Sequence, residues 1–185
     1  MRLLILLVIV TMGFSSCSDD KLPGGPEDFT LRYDTPNVTS PNLPSGQYQL
    51  ATMFPAAVTS PLSGQSITEV AFYLYDLPNT CEIRIYGPGT PNEPGAPLYS
   101  ANILSDIRKD RWNYHTLSTP VALDGEDIWV AIRFSHTSDQ QTVGCDAGPR
   151  NINGDWSFFS ADNQWQTFGA RTGADVNWNI RCKTQ

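Results

Sequence analysis

The stretch SITEVAFYLYD, residues 66–76, sets Val70, Phe72 and Leu74 on one side of an extended chain and Glu69, Ala71, Tyr73 and Tyr75 on the other. A period of two is what a half-buried strand requires, because successive side chains leave a pleated backbone in opposite directions. The same period returns further along. In CEIRIYG, residues 81–87, Ile83 and Ile85 share a face opposite Glu82, Arg84 and Tyr86. DIWVAIRF, residues 127–134, aligns Ile128, Val130, Ile132 and Phe134 against Trp129, Ala131 and Arg133. NWNIRC, residues 177–182, gathers Trp178, Ile180 and Cys182 opposite Asn177, Asn179 and Arg181. Turn-forming clusters separate these runs at 76–79, 87–97, 124–125 and 151–155. No window sustains a helical repeat, and fourteen prolines are spread along the chain. The pattern predicts an all-β fold: a single antiparallel β-sandwich, jelly-roll-like.

The first residues read differently. MRLLILLVIV has one arginine and then an unbroken apolar run, too short to cross a bilayer core of about 30 Å but suited to a secretory signal. The run leads to Gly13-Phe14-Ser15-Ser16-Cys17, which resembles a bacterial lipobox. The resemblance implies a signal peptide over residues 1–16 and acylation of Cys17, an anchor that holds the chain to a membrane without spanning it. Residues 17–28 then form a flexible tether rich in Pro, Gly and Asp, and residues 29–185 form the β-sandwich domain. Serine follows the cysteine, unlike the inner-membrane retention signal of enterobacteria. The Asp19-Asp20 pair resembles the surface-export signal of Bacteroidetes lipoproteins. Both features imply an outer-membrane location facing the extracellular side.

After signal removal eleven basic side chains face nineteen acidic ones, a net charge near −8. Such a chain offers no basic face for nucleic acid or anionic lipid, so no nucleic-acid partner is expected. Cys17 aside, three cysteines remain, with no C-x-x-C and no zinc-like Cys/His spacing. An oxidising compartment permits one disulfide. Cys81 begins one strand and Cys182 ends the last, which makes them the candidate pair; three unpaired buried thiols are the alternative.

Taken in order, GQSITEVAFYLY, IRIYG, PLYS, WNYHTLSTPVALDGEDIWVAIRF, CDAGPRNINGDW and NWNIRC resemble a module of secreted and surface proteins of Bacteroidetes. That module is broadly similar to the jelly-roll adhesin modules of gingipain-type proteins and is often appended to peptidases. The resemblance implies adhesion or ligand binding and brings no catalytic motif.

The residues agree. His115 and His136 stand near no G-x-S-x-G or H-E-x-x-H. Nothing in the spacing of Glu69, Glu82, Glu126 and Asp127 singles out a glycosidase pair. The expectation is a non-catalytic protein without a cofactor. The segments at 124–127 and 145–149 offer oxygens suited to calcium, but Asp146 before Ala-Gly-Pro reads as a turn-former, and no metal is assigned. The candidate ligand site is the hairpin GDWSFFSADNQW, where Trp156, Phe158 and Trp165 crowd beside Asn163 and Gln164. Rings stack on the C–H faces of sugars while amides bond hydroxyls. The opposing reading is that these rings close one end of the sandwich. Two functions follow: a surface-anchored lipoprotein that binds an extracellular glycan or protein, or a structural or assembly subunit of a surface complex.

Overall fold

In the computed structural model, which describes residues 29–185, the β3 strand (Ser66–Leu74) buries Val70, Phe72 and Leu74 completely. Its neighbours are β6 (Arg111–Ala122) and β11 (Ile180–Thr184), and the three make one antiparallel sheet in the order β11-β3-β6. A second sheet of six strands runs β10-β9-β2-β7-β4-β5. Its strands are β2 (Gly46–Phe54), β4 (Thr80–Tyr86), β5 (Pro97–Asn102), β7 (Ile128–His136), β9 (Trp156–Phe159) and β10 (Gln164–Thr167). The two-residue strands β1 (Asn42–Leu43) and β8 (Gln140–Gln141) pair with each other. Two short α-helices, α1 (Ala56–Thr59) and α2 (Phe168–Thr172), and a 3-10 turn at Ser60–Leu62 complete the described residues. The signal, Cys17 and the tether lie outside the described residues.

The pairings are nested. β4 pairs β5, β3 pairs β6, β2 pairs β7 and β1 pairs β8. The chain is thus folded double about the β4–β5 turn, and the first three pairs fall alternately in the six- and three-stranded sheets. That is the winding of a jelly roll. The β9–β10 hairpin then extends the larger sheet beside β2, and β11 extends the smaller one beside β3.

One apolar core lies between the sheets, with Leu50, Ile83, Val130 and Ile132 facing Val70, Phe72, Trp178 and Ile180. All eight are essentially inaccessible, so each side chain contributes roughly 1.5–3 kcal/mol relative to exposure. β2 had no part in the sequence reading. Its inward row Tyr48, Leu50, Thr52, Phe54 is broken by a buried threonine, and Ala51 and Met53 make its outward row apolar as well. The period of two is therefore blurred.

Cys81 and Cys182 are not bonded to each other. All three described cysteines are free thiols and buried. The correction has a geometric cause. Cys81 sits in the six-stranded sheet and Cys182 in the three-stranded one. Packed sheets stand about 10 Å apart, whereas a disulfide needs Cα atoms within about 7 Å. Burial pushes the thiols of Cys81 and Cys145 up to about 12.

At the outer edge of the smaller sheet, β6 is irregular. Ile67 lies opposite Val121 and Glu69 opposite Thr116, which leaves Leu117, Ser118, Thr119 and Pro120 facing Thr68 alone. The Ser118 N–H donates to the Tyr99 hydroxyl at 3.3 Å, and that hydroxyl lies 2.8 Å from His115 Nε2. His115 lies opposite Val70 in register and so on the inward face of β6.

Candidate functional site

The outer face of the six-stranded sheet is aromatic at one end and charged at the other. Register fixes this arrangement. Phe158 lies opposite Trp165 and Gln49, Trp156 opposite Ala51, and Trp129 opposite Met53 and Tyr86. With small Ala51 and Ala131 between them, the large rings meet across the strands. Trp129 lies 4.8 Å from Trp156 and 5.7 Å from Trp165, and Trp165 lies 5.6 Å from Phe158. Such separations suit tilted and edge-on ring pairs. Tyr86 reaches across β7 so that its hydroxyl donates to Gln49 Oε1 at 2.6 Å. Beyond it, Glu82 holds Arg84 at 2.9 Å and Arg133 at 3.3 Å. Partial burial raises the Glu82 carboxyl, but these two arginines outweigh it and hold the group below its usual value.

A cleft of ≈ 520 Å³ opens at the aromatic end. Trp156 and Trp165 line it together with Asn92, Arg150, Asn153 and Thr167. Its volume lies in the range of small-molecule sites. Trp165 is half-buried, whereas Trp156 is only 7% exposed and belongs to the outer apolar cluster. The Trp156 carbonyl accepts from Trp178 Nε1 at 2.8 Å, which ties the cleft to the main core.

Two loops complete the walls. The β4–β5 connection brings Pro91 and Asn92 to the cleft. Its base is closed where Gly87 N–H donates to Ala96 at 3.0 Å and Gly95 N–H to Gly87 at 3.1 Å. There the backbones approach so closely that a Cβ on Gly95 would sit 2.0 Å from the Pro88 carbonyl oxygen, which requires glycine. The 144–155 segment supplies Arg150 and Asn153. Arg150 Nη1 donates to Thr167 Oγ1 at 3.1 Å and lies 3.4 Å from the fully buried Asp155 carboxylate. Burial pushes the Asp155 carboxyl up, opposed by the Gly169 N–H and by Arg150.

This segment is pinned by Asp146, itself inaccessible to solvent. Its Oδ1 accepts from Asn177 N–H at 2.7 Å and Gly148 N–H at 2.9 Å. Its Oδ2 accepts from Thr35 N–H and Asn177 Nδ2, both at 3.0 Å, and from the Thr35 hydroxyl at 3.3 Å. The Gly148 bond is the local turn read from sequence; the others are tertiary. Burial raises the Asp146 carboxyl, but the bonds from Asn177, Thr35 and Gly148 outweigh it, so its pKa lies below the usual value.

Of the hairpin residues, the structure thus brings Trp156 and Trp165 to the cleft. Phe158 lines a separate hollow of ≈ 110 Å³ with Gln49, Arg84 and Arg133. Asn163 and Gln164 fall at the exposed turn, away from the cleft lining. Asn163 adopts a positive φ of 53° and donates its N–H to Phe159 at 2.9 Å, while Gln164 Oε1 accepts from Gln166 Nε2 at 3.0 Å. Asn153, which flanks the hairpin in sequence, also lines the cleft, whereas sequence reading missed Asn92 and Arg150. The signal available was the length of the 87–97 connection, since long loops between paired strands commonly carry function.

No protein-family model and no curated protein matches the chain. Among solved structures it is similar to a clostridial cysteine protease, Cwp84 after propeptide cleavage, with 11% identity and a TM-score of 0.55 over 78% of this chain and 37% of that one. It is also similar to a structure of the cysteine protease and lectin-like domains of Cwp84, a surface-layer-associated protein of Clostridium difficile. There the identity is 12% and the TM-score 0.50, over 78% of this chain and 33% of that one. The chain spans about a third of the length of these proteins. At such identities the likeness concerns the fold alone.

Proposed function

We propose that the protein is a non-catalytic module that binds an extracellular glycan through the cleft beside Trp165. The observation that carries this reading is a half-buried indole set against Asn92, Asn153 and Arg150 in a cleft of ≈ 520 Å³. The indole supplies a face for sugar C–H groups, and the amides and guanidinium supply donors and acceptors for hydroxyls. Similarity to the structure that comprises the cysteine protease and lectin-like domains of Cwp84 supports it. The lipobox-like Cys17 adds the second part of the proposal: a lipid anchor that holds the module on the outer membrane, facing outward, in a Bacteroidetes cell. An immobilised-glycan screen with the full chain tests the first part. Wild type should bind a subset of neutral glycans, and Trp165→Ala and Asn92→Ala should lose that binding while still folding. A wild type that binds no glycan would return the protein to the assembly-subunit reading.

A further inference from the structure

On the opposite side of the sandwich, the outer face of the three-stranded sheet carries a second recess of ≈ 650 Å³. Its floor is set by register. Tyr73 of β3 lies directly opposite Trp112 of β6, and their rings meet edge to face at 6.0 Å. Both are half-buried and line the recess. From β11 the Arg181 guanidinium lies 4.2 Å from the Trp112 ring centre. Arg181 is also paired with Asp34 at 2.9 Å, and both side chains are almost wholly shielded from solvent. That charge is therefore cancelled within the wall. Arg32 differs. It lines the same recess, is exposed, and makes no hydrogen bond or ion pair among the described residues. The recess thus combines aromatic rings with one exposed guanidinium that forms no direct ion pair, although its charge also helps to hold down the pKa of the Asp34 carboxyl.

We propose that this recess is a second binding site, separate from the Trp165 cleft, for a sugar ring that bears a carboxylate, of the uronic acid class. The rings would take the apolar face of the sugar, and Arg32 would take its carboxylate in a charge-assisted, bidentate hydrogen bond. Thr35 and Asn37 complete the wall, where the Thr35 hydroxyl, which donates to Asp146, keeps acceptor capacity for a sugar hydroxyl. The net charge of the chain, −7, opposes an anionic ligand only at long range. At physiological salt exposed charges are screened beyond about 8 Å, so contact with Arg32 outweighs the distant carboxylates, and the near one, Asp34, is already paired with Arg181. Volume is adequate, since small-ligand sites span about 300–1,000 Å³.

The test is calorimetric titration of the full chain with trigalacturonate and, in parallel, with its methyl ester at about 0.15 M salt. The acid should bind and the ester should not, and higher salt should weaken the acid. Arg32→Gln, a substitution at an exposed position, should lower affinity about tenfold or more, as loss of one charge-assisted contact does. Trp112→Phe should weaken binding further from a folded protein, and Trp165→Ala should leave it unchanged. Equal binding of acid and ester would overturn the proposal, as would undiminished affinity in Arg32→Gln or no binding by wild type. Loss of acid binding in Trp165→Ala would place the ligand in the other cleft and equally refute a second site. Failure of neutral glycans to bind, by contrast, concerns the Trp165 cleft alone.

Discussion

Replacing Asp146 with alanine should be among the most damaging single changes in this protein. The carboxylate is fully buried and accepts five hydrogen bonds, three from backbone N–H groups of Thr35, Gly148 and Asn177. Alanine leaves those donors in place with nothing to bond. Each orphaned buried donor costs about 1–3 kcal/mol, and partial relaxation of the 144–155 segment recovers some of it. A net loss of about 3–5 kcal/mol follows. For a domain of this size each kcal/mol lowers Tm by about 2–4 °C, so the melt should shift by roughly 6–20 °C. The pH dependence gives a second, independent signature. Because the folded carboxyl has a lowered pKa, its stabilisation is complete above the unfolded value of about 3.9 and is lost as pH falls through the folded value. The stability gap between wild type and Asp146→Ala should therefore hold constant through neutral pH and narrow below about pH 4. Urea melts of both proteins at several pH values measure it. A gap under about 1 kcal/mol at pH 7, or one that does not narrow in acid, would refute the account of Asp146 as a charged hub.

Trp156→Ala should cost about 3–5 kcal/mol, as removal of a buried indole does, whereas Trp165→Ala should cost about half as much or less; one pair of thermal melts compares them. Equal losses would make Trp165 core rather than platform. Burial beside Tyr99 lowers the His115 pKa, although Asp106 opposes it, so protonation favours the unfolded chain. Stability should fall as pH drops below the unfolded value of about 6.5, and His115→Gln should flatten that slope in melts between about pH 7 and 5. In a Cys17→Ser chain, a thiol reagent should find three reactive groups after denaturation without reductant and almost none in the native protein, since Cys81, Cys145 and Cys182 are buried and free.

The core strands were legible because their alternation is clean: Val70, Phe72 and Leu74, or Ile128, Val130, Ile132 and Phe134, face inward as the period of two required. The turn clusters were legible for the same local reason. Alternation does not show what covers a strand's other face. Arg181 was read as outward, and it is, yet Asp34 and Trp112 bury it. Trp129 likewise points away from the core into a second apolar layer formed with Trp156. Both sites depend on neighbours far apart in the chain. Asn92 and Trp165 come to line one cleft, and Arg32 and Trp112 one recess, only once the jelly-roll winding has set the register, and no window of sequence contains that information.

The bulged outer strand β6 has a consequence for how copies of this protein meet. An unbroken twelve-residue edge would present a long ladder of free N–H and C=O groups, along which two molecules could zip together. Here the ladder is interrupted. Pro120 has no N–H to give, the Ser118 N–H is taken by Tyr99, and four residues bow out opposite one. A stable intermolecular sheet needs several consecutive rungs, and the regular part of this edge ends at Thr116. The bulged stretch therefore offers a neighbouring strand no continuous ladder, which confines any edge-to-edge pairing to the short run before it.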